Sequence, residues 1–465
     1  MNNVVKNLNR LLGGLWLCLG CAAAQAMLPP TEAALAIPML TEAKLDGNFW
    51  IQQLAAPDQR LLTPAEQTQW QQQLYQAELL QPFASLPTTY SRAELTRLIQ
   101  QVSTPPSAPR FFLDKQAVTA ADYATWQQGM ALDKLDASQE VRYALVVQRT
   151  NVRSFPTTTV ITNQGFDADL DRMQETALFT GQWVHVLWQS ADKQWAFVRT
   201  DHYMGWVQTA DIAMASRADV QGFITSARKL VVTGPRVLSS PGPHQAAVAL
   251  DIGVQLPLLP TPTTLVQGQH PAVSYVVQMP TRTADGRLML KPTLVARSQD
   301  VREGFLPLTQ RQLILQAFKF LGERYGWGHG YQARDCSGFI RDIYQSLGLN
   351  LPRNTSEQAK MPAPQSLDVT AWSALDKRQQ LQRSQAGDLL FIPGHVMMVL
   401  GVVAGEVWVI HDVNGLSLRT ADGQWQQSKL NGVSVTPLSV LLVSETASYI
   451  DVMTHIQRFS KQPVL

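Results

Sequence analysis

The residue best suited to covalent chemistry in this chain is Cys336, which lies in the stretch RDCSGFIRDIY. Only three cysteines occur among 465 residues, and the other two, Cys18 and Cys21, lie near the N-terminus. We predict that Asp335 caps a helix beginning at Cys336, and the positive end of a helix dipole favours a thiolate. A thiolate is the reactive form of cysteine, so Cys336 is a candidate nucleophile. The alternative is an ordinary buried cysteine.

A nucleophilic cysteine needs a base, and two histidines follow on segments that read as strands. His395 opens HVMMVL, and His411 follows VWVI. Adjacent antiparallel strands would place both rings beside the helix start, giving a nucleophile, a base and an orienting group. Either histidine alone is equally explained as a structural residue. Zinc is the other interpretation of one cysteine and two histidines, but the long spacing argues against it, and we predict no metal and no cofactor.

The elements that must position these residues are readable in the flanking sequence. LTQRQLILQAFKFLGERYGWG predicts a helix opened by a capping box at Thr309 and Gln312. A glycine-bearing loop, YGWGHGYQAR, then leads to Asp335, and a second apolar helical face ends at Gly348. GDLLFIP, HVMMVLGVV and EVWVIHDV predict three strands.

The upstream chain changes pattern twice. Residues 27–138 predict helices, with capping boxes at Thr63 to Glu66 and Ser91 to Glu94. Residues 139–215 predict short strands, and TNVRSFP and GWV there resemble a bacterial SH3-like domain. Residues 216–303 form a second β-rich block that we interpret as a diverged SH3-like unit. Four tryptophans of the first block suit either a barrel core or a platform for sugar or peptide: Trp183, Trp188, Trp195 and Trp206.

The first 26 residues have the layout of a secretory signal peptide, with a basic start and an apolar middle. Two cleavage patterns compete: Ala24-Gln25-Ala26 suits ordinary signal peptidase, whereas LCLGC resembles a lipoprotein signal with Cys21 as a lipid anchor. Both predict export, either to the periplasm or as an outer-membrane lipoprotein. No later stretch is long and apolar enough to predict a membrane span. The leader carries the whole net charge of +2, so the rest of the chain offers no basic field for nucleic acid.

Three segments together resemble the NlpC-type family of bacterial cell-wall cysteine peptidases: RYGWGHGYQARDCSGFIRDIYQSLGLNLPRNTSEQA, AGDLLFIPGHVMMVLG and WVIHDVNG. The resemblance spans about residues 306–454, and it implies a papain-like α+β domain over 304–465. In that fold a helix carrying the cysteine packs on an antiparallel sheet carrying the histidines. The whole chain is similar to the exported branch of the family. We therefore predict an α+β multidomain protein, with a helical N-terminal region, two small SH3-like β-barrel domains and a C-terminal catalytic domain.

The resemblance implies hydrolysis of peptidoglycan stem peptides or muropeptides, usually between γ-D-glutamate and the diamino acid. It makes Cys336 the nucleophile, His395 the general base and His411 the residue that orients His395. It also implies substrate binding by four residues around the nucleophile: Asp335, Ser337, Trp327 and Thr355.

Each of these residues has a structural alternative, such as helix capping for Asp335. Arg353 is interpreted as a structural salt-bridge partner. Where relatives usually have glycine, this chain has His329, which would narrow the cleft, contact a carboxylate or act as a rival base on a poorly fixed loop.

Two other functions remain open at the level of sequence. The first is an amidase or acyltransferase on the same fold, because fold does not determine the reaction. The second is a non-catalytic wall-binding protein acting through its SH3-like domains. The resemblance also leaves open whether an SH3-like domain walls the cleft and whether the N-terminal helices block it.

Overall fold

A computed structural model describes residues 36–362, 364–420 and 423–459. The predicted signal peptide (1–26) and the predicted lipid-anchor site at Cys21 lie outside the described residues. Within those ranges, no helix has the length and apolar character required to cross a membrane. The fold combines helices and strands, which confirms the predicted α+β class.

The N-terminal region is built mainly of short capped helices. Its elements are α1 (Gly47–Ile51), α2 (Pro64–Gln76), β1 (Thr89–Ser91), α3 (Arg92–Val102), β2 (Phe111–Phe112), α4 (Ala120–Gly129) and β3 (Ser138–Glu140). The two capping boxes predicted for this region form, at the starts of α2 and α3. A third box, between Thr119 and Asp122, opens α4.

These helices pack in two directions. Helices α1 and α2 lie on the C-terminal domain, where Trp50 stacks near Trp408 with ring centroids 5.9 Å apart and Leu61 N–H donates to the Leu308 carbonyl at 2.9 Å. Helices α3 and α4 pack on the first β-rich unit around the buried Trp206. The N-terminal region therefore joins two other parts of the molecule.

The first β-rich unit is an antiparallel sheet with the order β11-β4-β8-β9-β10-β5-β7. The strands of this sheet are β4 (Arg142–Val146), β5 (Thr150–Arg153), β7 (Gln174–Leu178), β8 (Trp183–Gln189), β9 (Trp195–Arg199), β10 (Met204–Gln208) and β11 (Ile212–Ala215). A further strand of the unit, β6 (Ile161–Thr162), pairs with β2 of the N-terminal region. Trp195 and Trp206 are buried in its core, and Trp188 donates its indole N–H to the Met130 carbonyl at 2.8 Å. These three tryptophans serve packing.

The second β-rich unit consists of small sheets that share a hydrophobic core with the first unit. Its elements are α5 (Arg217–Ile224), β12 (Lys229–Val232), β13 (Arg236–Leu238), β14 (Ala249–Asp251), β15 (Gln255–Pro257), β16 (Ser274–Arg282), β17 (Leu288–Ala296) and β18 (Val301–Glu303). The order β15-β12-β18 forms one sheet, and β13-β14 and β16-β17 form hairpins. The predicted domain boundaries and the SH3-like nature of this unit remain predictions.

The C-terminal domain packs helices on an antiparallel sheet with the order β19-β24-β20-β21-β22-β23. Its elements are α6 (Gln310–Phe318), α7 (Cys336–Ser346), α8 (Thr355–Gln358), β19 (Gln365–Asp368), α9 (Ala374–Leu381), β20 (Leu389–Ile392), β21 (His395–Val403), β22 (Glu406–Arg419), β23 (Trp425–Pro437) and β24 (His455–Arg458). Every residue of α7 is buried, because the helix packs on β21, β22 and α6, and its Arg341 contacts His202 of the first β-rich unit.

Buried charges join the second β-rich unit to this domain. The guanidinium of Arg334 is enclosed and bonds to Glu323 at 2.9 Å and Asp342 at 3.0 Å, and it lies 3.4 Å from Asp251. Asp251 also pairs with Arg149. Because a buried charge without a partner is costly, this network requires the two units to stay docked.

Candidate active site

Cys336 is the first residue of α7, as the sequence predicts, and its thiol is almost enclosed, with 6% of the residue exposed. The cap is Asp335, whose carboxylate accepts the Gly338 N–H at 2.9 Å. The sulfur lies 3.8 Å from Thr355 Oγ1 and 3.9 Å from the carbonyl oxygen of Gly394. Gly394 has a φ of +79° in the tight turn between β20 and β21. Glycine accepts that conformation without strain, so the turn can bring the start of β21 against the helix.

The two histidines form a hydrogen-bonded chain with a threonine. His395 Nε2 lies 2.8 Å from His411 Nδ1, and His411 Nε2 lies 2.9 Å from Thr436 Oγ1. If each Nε2 carries the proton, His411 donates to Thr436 and His395 donates to His411. His395 Nδ1 then keeps its lone pair, which is the state a general base needs.

The structure brings the nucleophile and the base to the same turn. Cys336 contacts Gly394, and His395 is the next residue. Among the described residues no hydrogen bond joins the Cys336 sulfur to the His395 ring. The sulfur contacts Thr355, Gly394 and the backbone N–H of Val396. Catalytic hydrogen bonds are often long before substrate binds, so the contact would tighten in the complex.

Burial disfavours the charged forms of the thiol and the imidazole, which opposes the thiolate that the helix dipole favours. Burial raises the pKa of the Cys336 thiol to about 12, and the negative charge of Asp335 adds to the increase. Burial also lowers the pKa of His395 to about 4 and that of His411 well below its ordinary value. A thiol beside a neutral imidazole is therefore favoured over an ion pair, because desolvation penalises both charges.

Asp335 lies at the centre of a buried polar cluster. Its carboxylate bonds to Arg353 at 2.7 Å and 3.0 Å and accepts the Gly328 N–H at 2.9 Å. Arg353 also donates to Ser337 Oγ at 2.8 Å. Burial opposes ionisation of Asp335, but the charge of Arg353 outweighs it and holds the pKa of Asp335 below its usual value. The structural role expected for Arg353 is therefore present in the geometry.

His329 does not act as a rival base in this arrangement, and its loop is well fixed. Only 1% of the residue is exposed, and it does not line the cleft. One ring nitrogen lies 3.3 Å from Asp342, and the other lies 3.1 Å from Arg353 and 3.3 Å from Thr176. The expectation of a loose loop was wrong because these buried partners hold the ring from both sides.

The cleft above Cys336 has a volume of about 550 Å³ and is walled by the first β-rich unit. That wall consists of Arg172, Gln174, Glu175 and Tyr203. The four residues predicted to bind substrate, Asp335, Ser337, Trp327 and Thr355, all line the same cleft. No described residue before Arg172 lines it, so the described N-terminal helices do not block it.

Trp327 joins the loop to the wall. Its indole N–H donates to the Gln174 carbonyl at 3.1 Å, and the Arg172 guanidinium lies 4.4 Å from the centre of its ring. The wall also carries the carboxyl group of Glu175, which accepts a hydrogen bond from the Tyr203 hydroxyl at 2.6 Å. Burial raises the pKa of Glu175, and the Tyr203 hydrogen bond opposes the increase.

Sequence reasoning missed several residues of this site. Thr436 ends the histidine chain, Glu175 and Tyr203 close the cleft, and the Tyr325 side chain lines it. Tyr325 lies within the motif RYGWG, but nothing in the sequence pattern singled it out as a residue of the cleft. The described residues contain no group of histidine, cysteine and acidic side chains placed to hold a metal ion.

The sequence profile of the NlpC/P60 family matches residues 322–435, which include Cys336, His395 and His411. This chain carries an NlpC/P60 domain. The profile described as an SH3 domain of the SH3b1 type matches residues 161–208, so the NlpC/P60 cleft is walled by residues of the SH3 match.

Relatives of the NlpC/P60 domain are named as endopeptidases. A probable endopeptidase of Corynebacterium glutamicum, Cgl2188, is 32% identical over 107 residues, and a probable endopeptidase of strain R of that species is equally similar. The match covers 23% of this chain and 44% of each relative, so the chain spans less than half of their length.

A solved NlpC/P60 endopeptidase from Photobacterium damselae subsp. piscicida has a TM-score of 0.71, with 90% of this chain and 97% of that chain covered. At 15% identity, this likeness shows a shared fold.

Proposed function

We propose that this chain is an exported cysteine endopeptidase that hydrolyses the bond between γ-D-glutamate and the diamino acid of peptidoglycan stem peptides. One observation carries the proposal: Cys336 begins a helix at the turn that leads directly into His395, and His395 is held by His411. The NlpC/P60 domain and the names of its relatives support a peptidase. The signal-peptide pattern supports export, with an ordinary or a lipidated N-terminus.

The reaction starts from the neutral Cys336 thiol and the neutral His395 imidazole. Cys336 Sγ attacks the γ-carbonyl carbon while its proton passes to His395 Nδ1, and His411 stabilises the resulting imidazolium. The C–N bond then breaks as His395 returns the proton to the leaving amine. Water hydrolyses the thioester with His395 again as base. The Cys336 backbone N–H at the helix start supports the oxyanion.

The walled cleft indicates the form of the substrate. Asp335 and Glu175 line the cleft as carboxylates near the nucleophile, and Tyr203 closes it above Glu175. Such groups suit a free peptide amine, whereas a stem still attached to glycan would have to pass through the wall. The proposed substrate is therefore a released stem peptide rather than intact wall.

Purified muropeptides test the proposal. The mature protein and a Cys336→Ala variant are incubated with tripeptide and tetrapeptide stems, both free and attached to disaccharide, and the products are identified by mass spectrometry. We expect cleavage after γ-D-glutamate by the wild type only, with free stems preferred. Turnover by Cys336→Ala would disprove the nucleophile.

Product identity separates the remaining alternatives. A new N-terminal diamino acid is the product of an endopeptidase, whereas release of an intact stem peptide from the glycan is the product of an amidase. If neither product forms and the full-length protein binds purified sacculi, the non-catalytic wall-binding function is favoured.

A further inference from the structure

Tyr203, which closes the cleft above Glu175, lies in the tight turn between β9 and β10. The N–H of Thr200 donates to the Tyr203 carbonyl at 2.9 Å. The hydroxyl of Thr200 accepts the backbone N–H groups of His202 and Tyr203 at 3.2 Å and 3.0 Å. Within this turn, all of which the structure describes, only Tyr203 lines the cleft. The other residues of the turn therefore show how Tyr203 is held in place.

Two other parts of the molecule contact this turn. From the N-terminal region, the Gln81 N–H donates to the Asp201 carbonyl at 2.8 Å. From α7, the guanidinium of Arg341 lies 3.3 Å from His202 Nδ1. The His202 side chain is only 2% exposed, and the same Nδ1 contacts the Asp201 carboxylate. Since a carboxylate can only accept, Nδ1 carries the proton, and the imidazole lies between the carboxylate and the guanidinium.

The buried charge of Arg341 favours this contact. Its guanidinium donates to Gln345 at 3.0 Å, but the Asp342 carboxylate is 3.8 Å away, and Nε has no hydrogen-bond partner among the described residues. Burial lowers the pKa of Arg341, and the charge of Asp201 opposes that decrease more than the charge of Asp342 does. A buried cation without a counter-charge is costly, so Arg341 holds the turn against α7.

The same helix carries the nucleophile. Cys336 begins α7 and Arg341 lies in its middle, so a turn held on Arg341 is also held in place relative to Cys336. Tyr203 follows His202 directly, and its hydroxyl donates to Glu175 at 2.6 Å. The contact between α7 and the turn therefore determines where the Glu175 carboxylate lies relative to the nucleophile.

We propose that His202 and Asp201 are positioning residues for the wall of the cleft. By joining the turn to Arg341, they hold Tyr203 and Glu175 where the free amine of a stem peptide binds. The inference rests on the proposed function, because it assumes that the wall meets that amine. A charge-assisted hydrogen bond depends on distance and angle, so a loosened turn would weaken it without altering the residues that react.

Two synthetic stem peptides test this role: L-Ala-γ-D-Glu-diaminopimelate with a free N-terminal amine, and the same peptide with that amine acetylated. kcat and KM are measured for the wild type, His202→Leu, Asp201→Asn and His202→Asn, whose side-chain amide can replace the Nδ1 donor. The matched control is His185→Leu, which changes another buried histidine of the same sheet, outside the cleft.

We expect His202→Leu to lose about tenfold in kcat/KM on the free-amine peptide through KM, the lower end of the range for a charge-assisted hydrogen bond. Asp201→Asn should show the same selective loss, whereas His202→Asn should stay near the wild type. The acetylated peptide should be cleaved equally slowly by the wild type and by these three variants. His185→Leu should leave the ratio of the two substrates unchanged, whatever its effect on the midpoint of thermal unfolding.

A double-mutant cycle with Glu175→Gln separates positioning from a merely structural role. If His202 acts through Glu175, adding His202→Leu to Glu175→Gln should cause no further loss on the free-amine peptide. Thermal unfolding of each variant controls for folding. Asp201→Asn, which keeps the shape of the side chain and removes its charge, carries the test if His202→Leu does not fold.

A further loss in the double mutant, or an equal loss on both peptides in the single variants, would overturn the inference and leave the proposed function intact. Wild-type kinetics in both His202→Leu and Asp201→Asn would do the same. If the wild type cleaves neither peptide after γ-D-glutamate, the proposed function fails and this inference with it.

Discussion

At the scale of single residues, the site depends on a base that is neutral because it is buried. In the tautomer that leaves His395 Nδ1 free, His395 donates to His411 and His411 to Thr436, so no carboxylate is needed to orient the base. A neutral orienting group does not raise the pKa of His395 as a carboxylate would. His395 therefore stays unprotonated until it accepts the proton of the Cys336 thiol during the reaction.

This arrangement predicts an acid-tolerant enzyme. The pKa of His395 is lowered to about 4, so its base form persists down to that pH, whereas an ordinary imidazole would be mostly protonated at pH 5. We expect kcat/KM for an N-acetylated stem peptide, whose binding does not need the charge of Glu175, to stay near its maximum from pH 7 to pH 5 and to fall below that range. A half-maximum near pH 6.5, with the fold intact by circular dichroism, would contradict the neutral site.

At the scale of elements, Arg353 joins parts of the chain that are distant in sequence. It bonds to Asp335 at the start of α7, to Thr176 on β7 at 2.7 Å and to His329 in the preceding loop. One guanidinium therefore fixes the helix that carries the nucleophile against the wall of the cleft. Its planar set of donors suits this role better than a lysine ammonium.

Replacement of Arg353 by methionine should be strongly destabilising. It leaves the carboxylate of Asp335 buried without its cation, a change that costs about 3–5 kcal/mol in comparable buried pairs. We expect a clear fall in the midpoint of thermal unfolding, together with loss of activity. The matched control is Arg228→Met, which breaks the exposed pair with Glu303 and should leave the midpoint nearly unchanged. Similar midpoints for both variants would contradict this role of Arg353.

At the scale of the whole molecule, the cleft belongs to two units. The nucleophile and the histidines come from the C-terminal domain, whereas Glu175 and Tyr203 come from the first β-rich unit. The buried network around Arg334 holds the second β-rich unit on the same domain. The size of substrate that fits the cleft, and the end group that it accepts, therefore depend on the first β-rich unit as well as on the C-terminal domain.

A Glu175→Gln variant tests the contribution of the wall. Removal of the negative charge should lower kcat/KM for a stem with a free amine by about 10- to 100-fold, the range for a charge-assisted hydrogen bond. An N-acetylated stem, which has no ammonium, should be cleaved equally slowly by the variant and the wild type. Glu140→Gln, at an exposed position outside the cleft, serves as the control. Equal losses on both substrates would indicate that Glu175 has only a structural role.

Much of the C-terminal domain was predictable from local pattern. Asp335 caps the helix, Cys336 begins it, and the three predicted strands appear as β20, β21 and β22. The capping boxes of α2 and α3 were predicted for the same reason. At Thr309 only half of the expected box forms: its hydroxyl accepts the Gln312 N–H at 3.2 Å, but no reciprocal bond is present. Capping and periodicity are set by neighbours along the chain, so a sequence can reveal them.

The sequence by itself determined which residues could react and which elements carry them, because those properties depend on residue type and near neighbours. Tertiary structure alone decided their environment. Burial shifted the pKa values of Cys336 and His395 towards their neutral forms, Thr436 joined the histidine chain from β23, and Glu175 closed the cleft from a unit about 160 residues upstream of the nucleophile. Such contacts join distant parts of the chain and leave no periodic or spacing signal, so only the folded molecule reveals them.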